Sequence, residues 1–105
     1  RPDDLAGYVR LTENARLPIA SCEVLTRRQA FQPWIEQRAV DYIQPDVTKV
    51  GGLTEEYRIA QHAYEHSILF VPHGWNTAIG LAAGNIFGGF LVTQRMLAMY
   101  KKKGE

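Results

Sequence analysis

The chain runs Ala39-Val40-Asp41-Tyr42-Ile43-Gln44-Pro45-Asp46, turns at Gly51-Gly52, and runs again through Ser67-Ile68-Leu69-Phe70-Val71-Pro72-His73. The first run reads as a strand over 39–44 that ends near Asp46. The second is an unbroken apolar stretch of the kind buried on both faces of a parallel sheet. It reads as a strand over 67–71 that ends at Pro72-His73. Between them Leu53 or Thr54 opens a helix, because Ile59, Ala60 and Ala63 recur at helical spacing. Strand, helix and strand in that order predict a βαβ unit with parallel strands and a right-handed crossover.

Upstream the same rhythm holds. Pro18-Ile19-Ala20-Ser21-Cys22 is a short apolar run, read as a strand that ends at Glu23. Thr26 and Gln29, three apart, predict a capping box, and Ala30, Phe31, Trp34 and Ile35 give the next helix its apolar stripe. Pro33 lies inside that stripe, where a proline costs about 3 kcal/mol. It predicts a kink or break near Gln32, with a second short helix restarting from Pro33. Earlier still, Pro2 suits a first helical position and Asp3 and Asp4 its first turn. Leu5, Tyr8 and Val9 then share one face of a helix running to about Asn14. Downstream, Asn76 or Thr77 caps a small-residue helix that begins around Ala78. Glu23 to Asp46 is 23 residues and Asp46 to His73 is 27, each the length of a strand plus a helix. The expected class is therefore α/β, with three consecutive βα units after a leading helix.

Composition bounds the function classes. A chain of 105 residues and 11.9 kDa is one domain. Hydrophobic residues at 46% and charged ones at 22% argue against disorder, collagen-like repeats and a disulfide scaffold. Twelve Lys+Arg against eleven Asp+Glu leave a charge of +1, so no bulk field steers the chain onto nucleic acid or an anionic membrane. The lone Cys22 has no internal disulfide partner, fits a reducing compartment and is read as a small buried side chain. The cytoplasm is the expected location. No signal peptide is visible, and without an initiator Met the chain is expected to begin inside something longer. Ala78 to Val92 carries no charge over fifteen residues, but a spanning helix needs roughly 20 apolar residues. With Asn85 and four glycines within it, the segment reads as a buried helix rather than a membrane span.

Each predicted strand ends in an ionisable residue: Glu23, Asp46 and His73. In parallel α/β folds the carboxyl ends of the strands share one rim, where function gathers. An Asp beside a His accepts the hydrogen bond from one imidazole nitrogen, fixes the tautomer and leaves the other nitrogen free for proton transfer. A carboxylate such as Glu23 on that rim is a plausible ligand for Mg²⁺, which prefers oxygen donors. By contrast, His62 and His66 stand four apart on a helix but lack the Glu of a His-Glu-x-x-His zinc motif, and read as a solvated face. Lys101 to Lys103 read as a solvated helix end.

The residues of this rim resemble a known family. Tyr42-Ile43-Gln44-Pro45-Asp46-Val47-Thr48-Lys49-Val50-Gly51-Gly52 resembles the sixth-strand motif of the enolase superfamily. Val71-Pro72-His73-Gly74-Trp75-Asn76-Thr77 resembles the seventh-strand motif of its mandelate racemase-like members, acid-sugar dehydratases included. Pro18 to Glu23 is similar to the fifth strand, whose terminal Glu is a metal ligand in that family. The resemblance implies a partial TIM-type (β/α)8 barrel, with strands resembling the fifth to seventh and the helix before them. Residues 1–105 would be a fragment of the catalytic barrel, 1–84 family-like and 85–105 a divergent helical tail. It implies Mg²⁺ with Glu23 as one of three carboxylate ligands, the other two lying upstream. His73 would be the acid or base at the carbon alpha to a substrate carboxylate, with Asp46 as its partner. Lys49 matches a motif lysine without a definite role, and Trp75 would wall the pocket. The implied substrate is a sugar acid, undergoing dehydration or epimerisation, in a full-length protein that is a homo-oligomer. With two ligands missing, the isolated chain is expected to be inactive. The competing expectation is a non-catalytic partial barrel that serves as an association module.

Overall fold

A computed structural model of the chain describes residues 1–74 and 77–87. Helix α1 (Leu5–Asn14) precedes strand β1 (Ala20–Ser21), and helix α2 (Arg27–Glu36) leads to strand β2 (Tyr42–Ile43). A one-turn helix α3 (Val47–Val50) and the longer α4 (Leu53–Glu65) follow, then strand β3 (Leu69–Phe70). Residues 78–87 form a further helix, α5. The three strands are parallel and lie in the order β1-β2-β3, with Ala20, Tyr42 and Leu69 in one register row and Ser21, Ile43 and Phe70 in the next. The α/β class and the three βα units are those expected.

The strands are shorter than their apolar runs. Backbone bonds outside the two-residue cores still tie them together, from Asp41 and Tyr42 N–H to Ile19 C=O and from Val71 N–H to Ile43 C=O. After a break at Pro45, which has no N–H to give, the ladder resumes as a parallel bridge between Asp46 and His73. Strand β1 does not continue to Glu23. Cys22 takes φ 90°, an uncommon conformation for a residue with a Cβ, and turns the chain out of the sheet just before Glu23.

Helix termini depart from the reading in instructive ways. Helix α1 starts at Leu5 rather than Pro2, because Asp4 leaves the helix and caps it, its carboxylate accepting the Gly7 N–H at 3.0 Å. Thr26 is the N-cap of α2 but makes no side-chain cap bond, so the capping box is absent. The Glu55 carboxylate, arriving from α4, takes the Arg28 N–H instead, at 3.4 Å. Nor does Pro33 break the helix. Helix α2 continues through it to Glu36, because Phe31, Trp34 and Ile35 on either side of the proline are all buried in the core. The carbonyl freed by the missing N–H is that of Gln29, an exposed residue on the outer side of the helix.

Helices α2 and α4 end alike. Arg38 and Ser67 take the left-handed conformation (φ 52° and 59°). Ala39 and Ile68 each send an N–H back to the carbonyls of Trp34 and Ala63, closing Schellman turns that drop the chain into β2 and β3. The core lies between the sheet and these two helices, with Phe31, Ile35, Ile43, Ile59 and Phe70 at its centre. Leu5, Tyr8 and Val9 pack α1 against its edge as expected, Tyr8 with its ring 5.0 Å from that of Trp34.

Candidate active site

Strand β2 ends in a proline and an acid. Asp46 leaves the strand in extended conformation (φ −112°) and becomes the N-cap of α3. Its Oδ1 accepts the Thr48 N–H at 2.9 Å and the Thr48 hydroxyl at 2.6 Å. That leaves Oδ2 pointing to the neighbouring strand end, where it accepts from His73 Nδ1 at 2.9 Å. The backbone locks the same pairing, since the His73 N–H donates to Pro45 C=O at 2.8 Å. Asp46 is 1% exposed, whereas the His73 side chain keeps 31% of its surface open.

The electrostatics follow from those contacts. Burial pulls the Asp46 carboxyl upward, but the Thr48 and His73 hydrogen bonds and the imidazole's charge outweigh it and hold the group below its ordinary range. An ionised Asp46 needs a proton on Nδ1, so the lone pair of the neutral ring sits on Nε2, at the open side. Nε2 has no partner among the described residues. The arrangement can take a proton at Nε2 and stabilise the resulting imidazolium, then return the proton.

The remaining expected site residues are placed differently. Glu23 stands on the same rim, two positions beyond Ser21, while Asp46 and His73 stand three beyond Ile43 and Phe70. Burial and the Glu23 charge push the adjacent Cys22 thiol up to about 12, so it is inert as a nucleophile. The Lys49 side chain is exposed in the last turn of α3 and, among the described residues, reaches neither Asp46 nor His73; only its backbone N–H donates to the Asp46 carbonyl, at 2.9 Å. Trp75 lies outside the described residues, as does most of the expected tail. Among the described residues no group of three His, Cys, Asp or Glu could hold a metal ion. Glu23 offers a single carboxylate to Mg²⁺, an ion that sheds its waters reluctantly. His62 and His66 are half-buried rather than fully solvated, with His62 Nε2 3.7 Å from Glu36 Oε1 and His66 Nδ1 meeting the His62 carbonyl. A cavity of about 400 Å³ between α2 and α4, lined by Arg28, Gln32, Arg58 and His62, does not include Asp46 or His73.

Two participants escaped the sequence reading. Thr48 orients Asp46, and the Asp-x-Thr spacing of a helix cap was the signal for it. Glu56 is buried on α4, and its place on the helical stripe with Ile59, Ala60 and Ala63 was the signal for that.

A family model described as "Enolase C-terminal domain-like" matches residues 1–100. The chain belongs to that family of the enolase superfamily. Among curated relatives of this enolase-superfamily chain, D-galactarolactone cycloisomerase from Agrobacterium fabrum is 34% identical over 82 residues, covering 78% of this chain and 22% of the relative. D-galactonate dehydratase from Ralstonia pickettii is 37% identical over 76 residues, or 72% and 20%. Among solved structures, the 3,6-anhydro-D-galactonate cycloisomerase from Zobellia galactanivorans superposes with a TM-score of 0.75 at 37% identity, over 80% of this chain and 24% of that one. L-talarate dehydratase from Polaromonas sp. JS666, complexed with Mg and L-glucarate, gives 0.70 at 32%, over 80% and 24%. The chain thus spans about a fifth of the length of the curated relatives it matches. Among the described residues no helix is long and apolar enough to cross a membrane.

Proposed function

We propose that this segment carries the acid/base pair of a sugar-acid dehydratase, epimerase or cycloisomerase. His73 Nε2 moves the proton at the carbon alpha to the substrate carboxylate, or delivers one to a departing hydroxyl. Asp46 holds Nδ1–H and carries the negative charge that steadies the imidazolium. The observation that carries this reading is the 2.9 Å contact between buried Asp46 and half-open His73 at the carboxyl end of the sheet. Relatives named as acting on galactonate and galactarolactone supply the substrate class.

In this reading Glu23 is one carboxylate of a Mg²⁺ site whose other ligands come from outside the segment, Lys49 is a further candidate catalytic residue, and Trp75 walls the pocket. The metal would stabilise negative charge developing on the substrate carboxylate. The described residues do not form that site, and the segment alone is inactive. The test is His73→Asn in a complete barrel of this family that carries the segment, assayed against a panel of hexonates and hexarates. Turnover should fall about 10²-fold or more, the usual contribution of a positioned acid or base. Full activity would sink the assignment.

A further inference from the structure

Glu56 has no exposure to solvent, and neither of its carboxyl oxygens has a hydrogen-bond partner among the described residues. It stands at the first position of the stripe 56, 59, 60, 63 that α4 turns toward the core. A carboxyl stripped of water and without donors holds a negative charge only at high cost. Burial, and after it the repulsion of Asp46, push the group from 4.5 up to about 7.

The elements packed against α4 are α2, α3 and β3. From α3 the charged group facing Glu56 is Asp46, at the helix cap; Lys49 is exposed. Strand β3 brings Leu69 and Phe70, and the His73 beyond it is held by Asp46. From α2 comes Arg28, whose guanidinium lies 3.8 Å from Glu55, the residue beside Glu56. Farther along, the Glu36 carboxylate of α2 meets His62. No cation in this set is paired with Glu56.

We propose that Glu56 is a positioning residue for the Asp46–His73 pair, a buried proton holder whose charge state sets whether one or two carboxylates act on the imidazole. With Glu56 neutral, Asp46 alone draws the Nδ1 proton. With Glu56 ionised, a second negative charge acts on Asp46, the carboxylate that holds the imidazole. The role rests on the acid/base reading of His73, but its test does not use turnover, so the two fail separately.

The test is carbon and nitrogen NMR of the isotopically labelled chain through a pH titration, on the parent and on Glu56→Gln. The Glu56 Cδ signal should titrate with a midpoint at about 7. Asp46 Cγ and His73 Nδ1 should show a secondary inflection at that same pH. Glu56→Gln, which has the shape of the neutral acid, should abolish that inflection while the Asp46–His73 hydrogen bond persists. A Glu56 midpoint in the ordinary range near ~4.3, including that returned by an unfolded chain, overturns the proposal, and so does an inflection that survives in Glu56→Gln. Should that variant unfold, Asp46→Asn decides by reciprocity: removing the Asp46 charge must lower the Glu56 midpoint. An unmoved midpoint overturns the coupling.

Discussion

Replacing Asp46 by Asn keeps the shape of the side chain but changes what His73 Nδ1 can do. The amide can turn its NH2 toward the ring, which puts the proton on Nε2, the nitrogen that should accept one. Asn also caps helices about as well as Asp, so α3 survives. In a complete barrel, Asp46→Asn should therefore lose about 10³-fold or more in turnover, as wrong-tautomer variants of acid/base pairs do. Thermal unfolding at neutral pH should move far less; a folded variant with full turnover would separate the contact from the chemistry. Glu56 predicts a pH effect of its own. Its folded value is raised from 4.5 to about 7, so the folded chain binds the proton more tightly than the unfolded one. The stability linked to that proton is present below 4.5 and is lost as pH rises through about 7. At about 1.4 kcal/mol per unit the loss is at most about 3 kcal/mol. Urea unfolding of Glu56→Gln should match the parent near pH 4 and exceed it near pH 8 (about one unit beyond the raised value); an equal gap at both would rule out titration as the cause.

At the scale of elements, the two Schellman turns set where β2 and β3 begin. Ser67 holds a left-handed conformation that costs an L-residue roughly 1–2 kcal/mol, and its exposed side chain makes no hydrogen bond among the described residues. Ser67→Gly removes that strain but gives back part of it in unfolded-chain entropy, a net gain of about 0.5–1 kcal/mol. The melting temperature should rise by roughly 2–8 °C, whereas Ser67→Val should lower it, because a β-branched residue is poorly accommodated at φ 59°. Arg38 is a poorer place for the same change, since its Nη1 donates to the His66 carbonyl and ties the two helix ends together. Helix α2 shows the opposite balance: its proline is tolerated because packing on either side outweighs one missing backbone bond.

The whole molecule is a three-stranded parallel sheet whose outer strands, β1 and β3, each pair on one side only among the described residues. Unpaired strand edges template association. Leu17 (76% exposed), Ile79 (65%), Leu81 (65%) and Ile86 (59%) add apolar surface that a larger assembly would cover. This observation favours the second reading, an association-dependent segment, and it is compatible with the first. The purified chain should self-associate, and light scattering after size exclusion should give a mass above 11.9 kDa. A cooperative, strictly monomeric chain would show that the sheet needs no further strands.

Residues near one another in sequence settled much of this protein. The apolar stripe of α4, the αβ rhythm and the acid or histidine at each strand end depend on local spacing, which a linear reading captures. The pairing of Asp46 with His73 was legible for the same reason: parallel strands at one helix-plus-strand spacing must end on one rim. Only tertiary structure decided the rest. Strand lengths depend on partners, so the run 39–44 shortened to Tyr42–Ile43. The Arg28 N–H went to Glu55, brought from another helix, and not to a local cap. Cys22 bends at the rim because the chain must leave the sheet there. Glu56 became a buried acid, unpartnered among the described residues, because α4 packs against α2, α3 and β3, and desolvation is a property of what surrounds a residue, which its own identity does not contain.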